Sequence, residues 1–257
     1  MNSLEHLLSI LHGYDSVLLA YSGGIDSTLL LELLKTRADI RYGAVFVDHP
    51  ALVESERLAA GAGIKAVQGQ VLTPTLAEMQ PVWGEQRYDR CYYCKKYFFG
   101  KLVHLAGEMR LAVVIDGSHV DDDPGRRPGM RALAELGIES PLRRAGWNKA
   151  LIRRQAREMG IKSWDRPARA CLAVGIDGLV DGSKLTLMEK LENFFQRRGI
   201  FPVRFRLGTD GCLSIAVTAD NHEKAGNLLS LPAFQQILAD TRVEKVKFST
   251  LAGGATR

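Results

Sequence analysis

The stretch Ser16–Thr36, SVLLAYSGGIDSTLLLELLKT, decides the fold. It reads as a short apolar strand, a glycine turn and a helix with leucines on one face. The theme then repeats. IRYGAVFVDH (Ile40–His49) reads as a second strand, VESERLAAGAG (Val53–Gly63) as a helix and IKAVQGQV (Ile64–Val71) as a third strand. A helix around Lys95–Met109 leads into LAVVIDGSH (Leu111–His119), a buried strand ending in polar residues. Strands alternating with helices imply βαβ units, hence an α/β fold with a parallel sheet and helices on both faces. Such sheets bind ligands beyond the carboxyl ends of their strands. The loops after Tyr21, Val47 and Ile115 are therefore expected to face the site.

Further along, DDDPGRRPGMRALAEL (Asp121–Leu136) is a polar turn cluster entering a helix, and NKALIRRQAREMG (Asn148–Gly160) is a helix capped by Asn148. Beyond Cys171 the pattern changes. DGLVDGSK (Asp177–Lys184) reads as a hinge, followed by a helix over Leu185–Arg198 and strands FPVRFRL and CLSIAV. A helix over His222–Leu238 and a strand VEKVKF close a small α+β domain. The expected division is 1–178 and 179–257.

Composition narrows the class. Apolar residues make up 46% and charged residues 25% of 257 positions, ordinary for a soluble globular protein. No apolar run approaches membrane-spanning length, and MNSLEHLLSILHGYDS is an amphipathic segment with acidic residues, unlike a signal peptide. A cytoplasmic protein is expected. The net charge of +5 suits an anionic ligand, but it is spread along the chain, with no basic–aromatic module for nucleic acid. Four cysteines in such a chain point to chelation or catalysis rather than a disulfide framework.

In YSGGIDST the backbone amides can converge at a helix N-terminus and form a nest for phosphate. Gly23 and Gly24 let the chain turn, Ser22 and Ser27 add hydroxyls, and Asp26 suits Mg²⁺ placed between itself and a phosphate. Neither the lysine of G-x-x-x-x-G-K-[ST] nor the G-x-G-x-x-G pattern is present, so neither a triphosphatase loop nor a dinucleotide fingerprint is indicated. S-G-G-x-D-S after the first strand resembles the pyrophosphate-binding loop of the PP-loop ATP pyrophosphatase superfamily. The resemblance implies cleavage of ATP between the α and β phosphates, with pyrophosphate held by Ser22, Gly23, Gly24 and Ser27. Asp48, after the second strand, lies where nucleotide contacts are expected.

RCYYCKK (Arg90–Lys96) raises a second question, because C-x-x-C serves redox, zinc and iron–sulfur chemistry alike. Cys212 falls in the predicted strand CLSIAV, where a small buried hydrophobe is expected. Cys91, Cys94 and Cys171 remain as three loop-associated thiols, with Arg90, Lys95, Lys96, Arg166 and Arg169 nearby in sequence to favour thiolates. They suit a [4Fe–4S] cluster with one open iron, while four-cysteine zinc stays possible if Cys212 is near.

Three longer stretches sharpen the resemblance: RCYYCKK, DGSHVDDDPGRRPGMRALAELGIESPL (Asp116–Leu142) and KALIRRQAREMGIKSWDRPARACLA (Lys149–Ala173). Their order and spacing resemble the LarE family, ATP-dependent sulfur transferases that thiolate the two carboxylates of a pyridinium mononucleotide for the nickel-pincer cofactor. The similarity runs from about Ser16 to Ala173, and more loosely through PVRFRL. It implies that Cys171 matches the sulfur-bearing cysteine, and that Cys91 and Cys94 match the pair of cluster-bearing members. ATP, Mg²⁺ and a [4Fe–4S] cluster are the implied cofactors, a small nucleotide the substrate, and a homo-oligomer the assembly. Catalytic roles fall to Cys171, Asp26 and Lys95, the last able to neutralise adenylate or cluster. Arg204 and Arg206, alternating along VRFR, read as a phosphate clamp. Asp121 and Asp122 suit Mg²⁺ or substrate, and Arg127 suits phosphate. One departure stands out: the family's CLASR is here CLAVG, with Val174 and Gly175 in place of Ser and Arg, which bears on the acceptor. A PP-loop tRNA thiolase and a non-catalytic cluster-bearing or sulfur-carrier protein are the alternatives.

Overall fold

The computed structural model describes residues 3–37, 39–85, 88–167, 169–239 and 241–251. The chain forms two compact units: Met1–His49, Glu54–Thr75 and Cys91–Ala168 make the first, and Pro50–Val53, Leu76–Arg90 and Arg169–Arg257 the second.

The first unit opens with helix α1 (Ser3–His12), then strand β1 (Ser16–Tyr21), helix α2 (Ile25–Lys35), strand β2 (Arg41–Val47), helix α3 (Glu54–Ala66) and strand β3 (Gln70–Leu72). After helix α4 (Leu76–Trp83), which belongs to the second unit, come helix α5 (Arg90–Glu108), strand β4 (Val113–Ile115) and helices α6 (Gly129–Glu135), α7 (Pro141–Arg144) and α8 (Lys149–Glu158). The four strands run parallel in the order β3-β2-β1-β4. This is the α/β sheet flanked by helices that the alternating pattern predicts.

β1 is central, so Val17, Leu18 and Leu19 are wholly buried and the strand is apolar along nearly its whole length. Leu18 and Val45 share one core layer with Phe99, Leu102 and Ala106 of α5. The register pairs Tyr21 with Phe46 and Leu19 with Ile115. Ser22, Asp48 and Asp116 consequently leave their strands at the same edge of the sheet.

The second unit holds helix α9 (Gly182–Gln196), strands β5 (Val203–Leu207) and β6 (Cys212–Val217), helices α10 (His222–Leu229) and α11 (Pro232–Ala239) and strand β7 (Lys245–Thr250). β5 and β6 are antiparallel, β6 and β7 parallel. Phe195 of α9 packs edge-on against Phe205 of β5 and Phe234 of α11.

Three expectations change. Ile64–Ala66 completes α3, so the third strand shrinks to Gln70–Leu72. The helix expected from Lys95 begins at Arg90 and carries both cysteines of C-x-x-C. The long helix over His222–Leu238 is two helices, separated before Pro232, whose ring lacks the N–H that would continue the ladder. Among the described residues no helix is long and apolar enough to cross a membrane.

Candidate active site

The glycine turn is built for close approach. Gly23 has φ +75, and a Cβ there would lie 2.6 Å from the Cβ of Ala60 on α3. Only glycine fits both demands. Ser27, 2% exposed, staples the turn: its Oγ accepts from the Ser22 amide at 3.1 Å and donates to the Gly24 carbonyl at 3.1 Å. Gly24 caps α2 without a side chain that could bond the first-turn amides. Those amides and the helix dipole supply positive potential for an anion.

Asp26 lies on the first turn of α2, and its two carboxylate oxygens accept from Lys149 Nζ at 2.5 and 2.7 Å. Lys149 is the first residue of α8, which Asn148 caps through the Leu151 amide at 2.9 Å. The Lys149 backbone amide donates to Asp121 at 2.7 Å. Asp26 thus presents a carboxylate beside the glycine turn, a donor type that suits Mg²⁺, which commonly takes one or two carboxylates plus substrate phosphates.

The loop after β4 closes on this turn. At Gly117 a Cβ would be 3.0 Å from both Asp26 Cβ and the Ser27 amide. Asp116, buried, accepts from Ser118 Oγ at 2.5 Å and Ser140 Oγ at 2.6 Å, and Lys95 Nζ stands 3.9 Å away. Asp122, also buried, accepts from the His119 amide and is paired with Arg127. Arg143 donates to the carbonyls of His119 and Asp122. The His119 side chain is 5% exposed, with Nδ1 3.7 Å from Asp121 Oδ2 and, among the described residues, without a hydrogen-bond partner. Burial lowers its pKa, with Asp122 pulling the other way.

At the neighbouring strand end, Asp48 accepts from Arg57 Nε at 2.6 Å. His49 stacks on Phe98 of α5 at 5.8 Å, and burial pushes its pKa down to about 4. Cys91 and Cys94, half-buried, occupy the first turns of α5 at positions i and i+3. They share a helix face rather than a loop, as two ligands of one centre would. Two thiols so spaced suit iron or zinc in donor chemistry. Among the described residues, no three or more His, Cys, Asp or Glu side chains gather into a metal cradle.

The second unit carries the remaining candidates. Cys171, half-buried, precedes a short 3₁₀ turn over Leu172–Gly175. Arg169 pairs with Glu192, and burial raises the Glu192 pKa against the pull of Arg169. On β5, Val203, Phe205 and Leu207 face the core, whereas Arg204 and Arg206 share the other face, half-buried and exposed respectively. Burial lowers the Arg204 pKa, countered by Glu192. Cys212 is buried within β6, as its strand position predicts.

Ser22, Gly23, Gly24, Asp26 and Ser27 thus stand together at the α2 turn. Arg127, Lys95 and Asp48 each face a protein carboxylate or guanidinium: Asp122, Asp116 and Arg57. The basic residues expected to act on thiols are likewise engaged, Lys96 with Glu135 and Arg166 with Glu56. Sequence reasoning overlooked Lys149 and His119. The available signals were a lysine directly after a helix cap and a histidine at a strand end, in the loop already expected to face the site.

No family model matches the chain. It is 31% identical to the uncharacterized protein slr1717 of Synechocystis, over 80% of this chain and 78% of that protein. It is 31% identical to the uncharacterized protein MJ0830 of Methanocaldococcus jannaschii, over 73% of each. It is also 31% identical to the pyridinium-3,5-bisthiocarboxylic acid mononucleotide synthase of Lactiplantibacillus plantarum, over 63% of this chain; the matched region spans 59% of that synthase.

Proposed function

The chain belongs to the LarE family, and from that premise we propose that it is an ATP-dependent sulfurtransferase acting on a pyridinium dicarboxylate mononucleotide in nickel-pincer cofactor synthesis. The observation that carries the reading is the α2 turn, where a helix N-terminus without a side-chain cap, a positive-φ glycine and the Lys149-paired carboxylate of Asp26 meet.

A carboxylate resists substitution because oxide is a poor leaving group. In the proposed first step the substrate carboxylate oxygen attacks the α-phosphorus of ATP, the α–β bridging bond breaks, and pyrophosphate departs with its electron pair. Ser22, Gly23, Gly24 and Ser27 hold the departing pyrophosphate, with Asp26 holding Mg²⁺. In the second, a sulfur nucleophile attacks the acyl carbon, the C–O bond to phosphate breaks, and AMP leaves. Asp48 serves the nucleotide, Lys95 the adenylate charge, and Arg127, Arg204 and Arg206 the substrate's anionic groups. Cys91, Cys94 and Cys171 are assigned to a [4Fe–4S] cluster, which when bound supplies sulfide sulfur.

The test joins two measurements on anaerobically purified protein. Pyrophosphate and AMP should form only with the dicarboxylate mononucleotide present. About four irons with matching labile sulfide should be present, and be lost in Cys91→Ala, Cys94→Ala and Cys171→Ala alike. Release of pyrophosphate without iron, limited to one turnover, would replace the cluster with Cys171 as the sacrificed sulfur donor. No pyrophosphate with this acceptor would overturn the reading.

A further inference from the structure

We infer that the cavity of about 600 Å³ lined by α6 and α7 is a binding site for a small amphipathic anion: an apolar or aromatic body carrying one carboxylate, sulfonate or phosphate group. The inference is independent of the sulfur-transfer reading.

The size falls within the roughly 300–1,000 Å³ of pockets that enclose small ligands. Its floor is apolar. Met130, Leu133 and Ile138 line it and pack into the core layer that Leu18 and Val45 share with α5, so the floor is as rigid as the core. Its charge is one-sided: Arg131, Arg143 and Arg144 line it against the single carboxylate of Glu139, which already accepts from Tyr14 Oη at 3.1 Å. Arg143 decides the ligand class. Its half-buried side chain donates through Nη1 to the carbonyls of His119 at 3.2 Å and Asp122 at 2.7 Å, and among the described residues it has no ion pair. Holding the loop accounts for Nη1 alone; the other guanidinium nitrogens have no partner among the described residues. An anion meeting an unpaired guanidinium at an apolar wall gains more than at a solvated surface, because water competes less. The loop after β4 touches both this cavity and the α2 turn. Arg143 holds it at His119 and Asp122, Ser140 of the cavity wall donates to Asp116, and Gly117 packs on Asp26. A ligand bound here therefore touches the residues that hold this loop, without entering the α2 turn.

The probe is 8-anilinonaphthalene-1-sulfonate, an aromatic body with one sulfonate, titrated by fluorescence beside N-phenyl-1-naphthylamine, the same ring system without the charge. Wild type should bind the sulfonate saturably, at one site per chain, and more tightly than the neutral amine. Ala134→Trp, at an exposed position of α6 that lines the cavity, should fill it and abolish saturable binding of both probes. Arg144→Gln should weaken the sulfonate about two- to threefold and leave the neutral amine unchanged. Arg143→Gln should weaken the sulfonate about tenfold. Thermal melts check that each variant folds; if Arg143→Gln does not, Ala134→Trp and Arg144→Gln, which break none of the loop's hydrogen bonds, decide the question. Sulfonate affinity unchanged in Ala134→Trp, a neutral amine bound as tightly as the sulfonate, or no saturable binding by wild type would each overturn the inference.

Discussion

Arg169 donates twice to one carboxylate oxygen of Glu192, from Nη2 at 2.8 Å and from Nε at 3.1 Å, just two residues ahead of Cys171. The arginine side chain is 5% exposed, so the pair anchors the start of the Cys171 segment to α9 away from bulk water. Arg169→Met leaves a desolvated carboxylate without its cation and should cost about 3 kcal/mol at neutral pH. The pH dependence has a definite sign. Burial raises the folded pKa of Glu192 above its ordinary 4.5, so the native state holds its proton longer than the unfolded chain. Stability therefore falls as pH rises through the window above 4.5, and removing Arg169 widens that window upward. Urea denaturation at pH 5 and pH 7.5 should show a larger loss at the higher pH. Equal losses would mean that the arginine contributes packing alone.

Arg90 is the clamp of the second unit. At 2% exposure, its guanidinium donates to the carbonyls of Ala173, Ile176 and Gly178, and more weakly to those of Trp83 and Gly84. Oriented carbonyl dipoles converge on its charge. Arg90→Met should leave buried carbonyls unpaired and destabilise the protein by about 3 kcal/mol or more. Arg90→Lys should recover little, because an ammonium cannot reproduce the planar fork. Thermal denaturation ranks the three proteins, and a lysine variant as stable as wild type would refute the fork argument.

Much of this organisation is legible in the sequence, and the failures have physical causes. β1 and α2 are readable because one is continuously apolar and the other carries its leucines at helical spacing. Ile64 reads as part of a strand because a short apolar run resembles one. In the structure it sits one turn beyond Ala60 on the same buried face, and the helical period wins until Gln68 and Gly69. The cysteines read as loop residues because α5 starts earlier than its leucines. Tyr92 and Phe99, two turns apart and both buried, define its inner face from the first turn. The partner of Asp26 lies beyond any local pattern: a pairing across 123 residues leaves no periodicity to read.

Gly23 carries the loop's shape, and its replacement separates two penalties. Gly23→Ala must hold a left-handed φ of +75 and place a methyl on Ala60. The backbone component costs about 1 kcal/mol, and the clash comes on top of it. Nucleotide binding should be lost out of proportion to stability, since the amides of the nest are displaced. Adding Ala60→Gly removes only the methyl contact: the new Cβ still lies 2.8 Å from the Cα of residue 60 and 3.1 Å from its amide nitrogen, and the strained φ remains. The double variant should thus regain only part of the lost stability and still bind α,β-methylene-ATP more weakly than wild type, by calorimetry. Full recovery of binding would show that the methyl contact alone governs the turn.

His49 should make the first unit acid-sensitive. Burial holds its imidazole neutral, with a pKa pushed down to about 4 from 6.5, while it stacks on Phe98. Between those values the unfolded chain binds a proton that the native state refuses, so stability rises with pH across the window and is lost as pH falls from 6.5 toward 4. The full difference is worth about 3 kcal/mol. His49→Phe keeps an aromatic ring against Phe98 and removes the titrating group. Its stability at pH 7 should stay close to wild type, while the decline between pH 6.5 and pH 4 should shrink by that amount in urea titrations. An undiminished decline in His49→Phe would assign the acid sensitivity to carboxylates that lose their partners, Asp48 with Arg57 foremost among the neighbours.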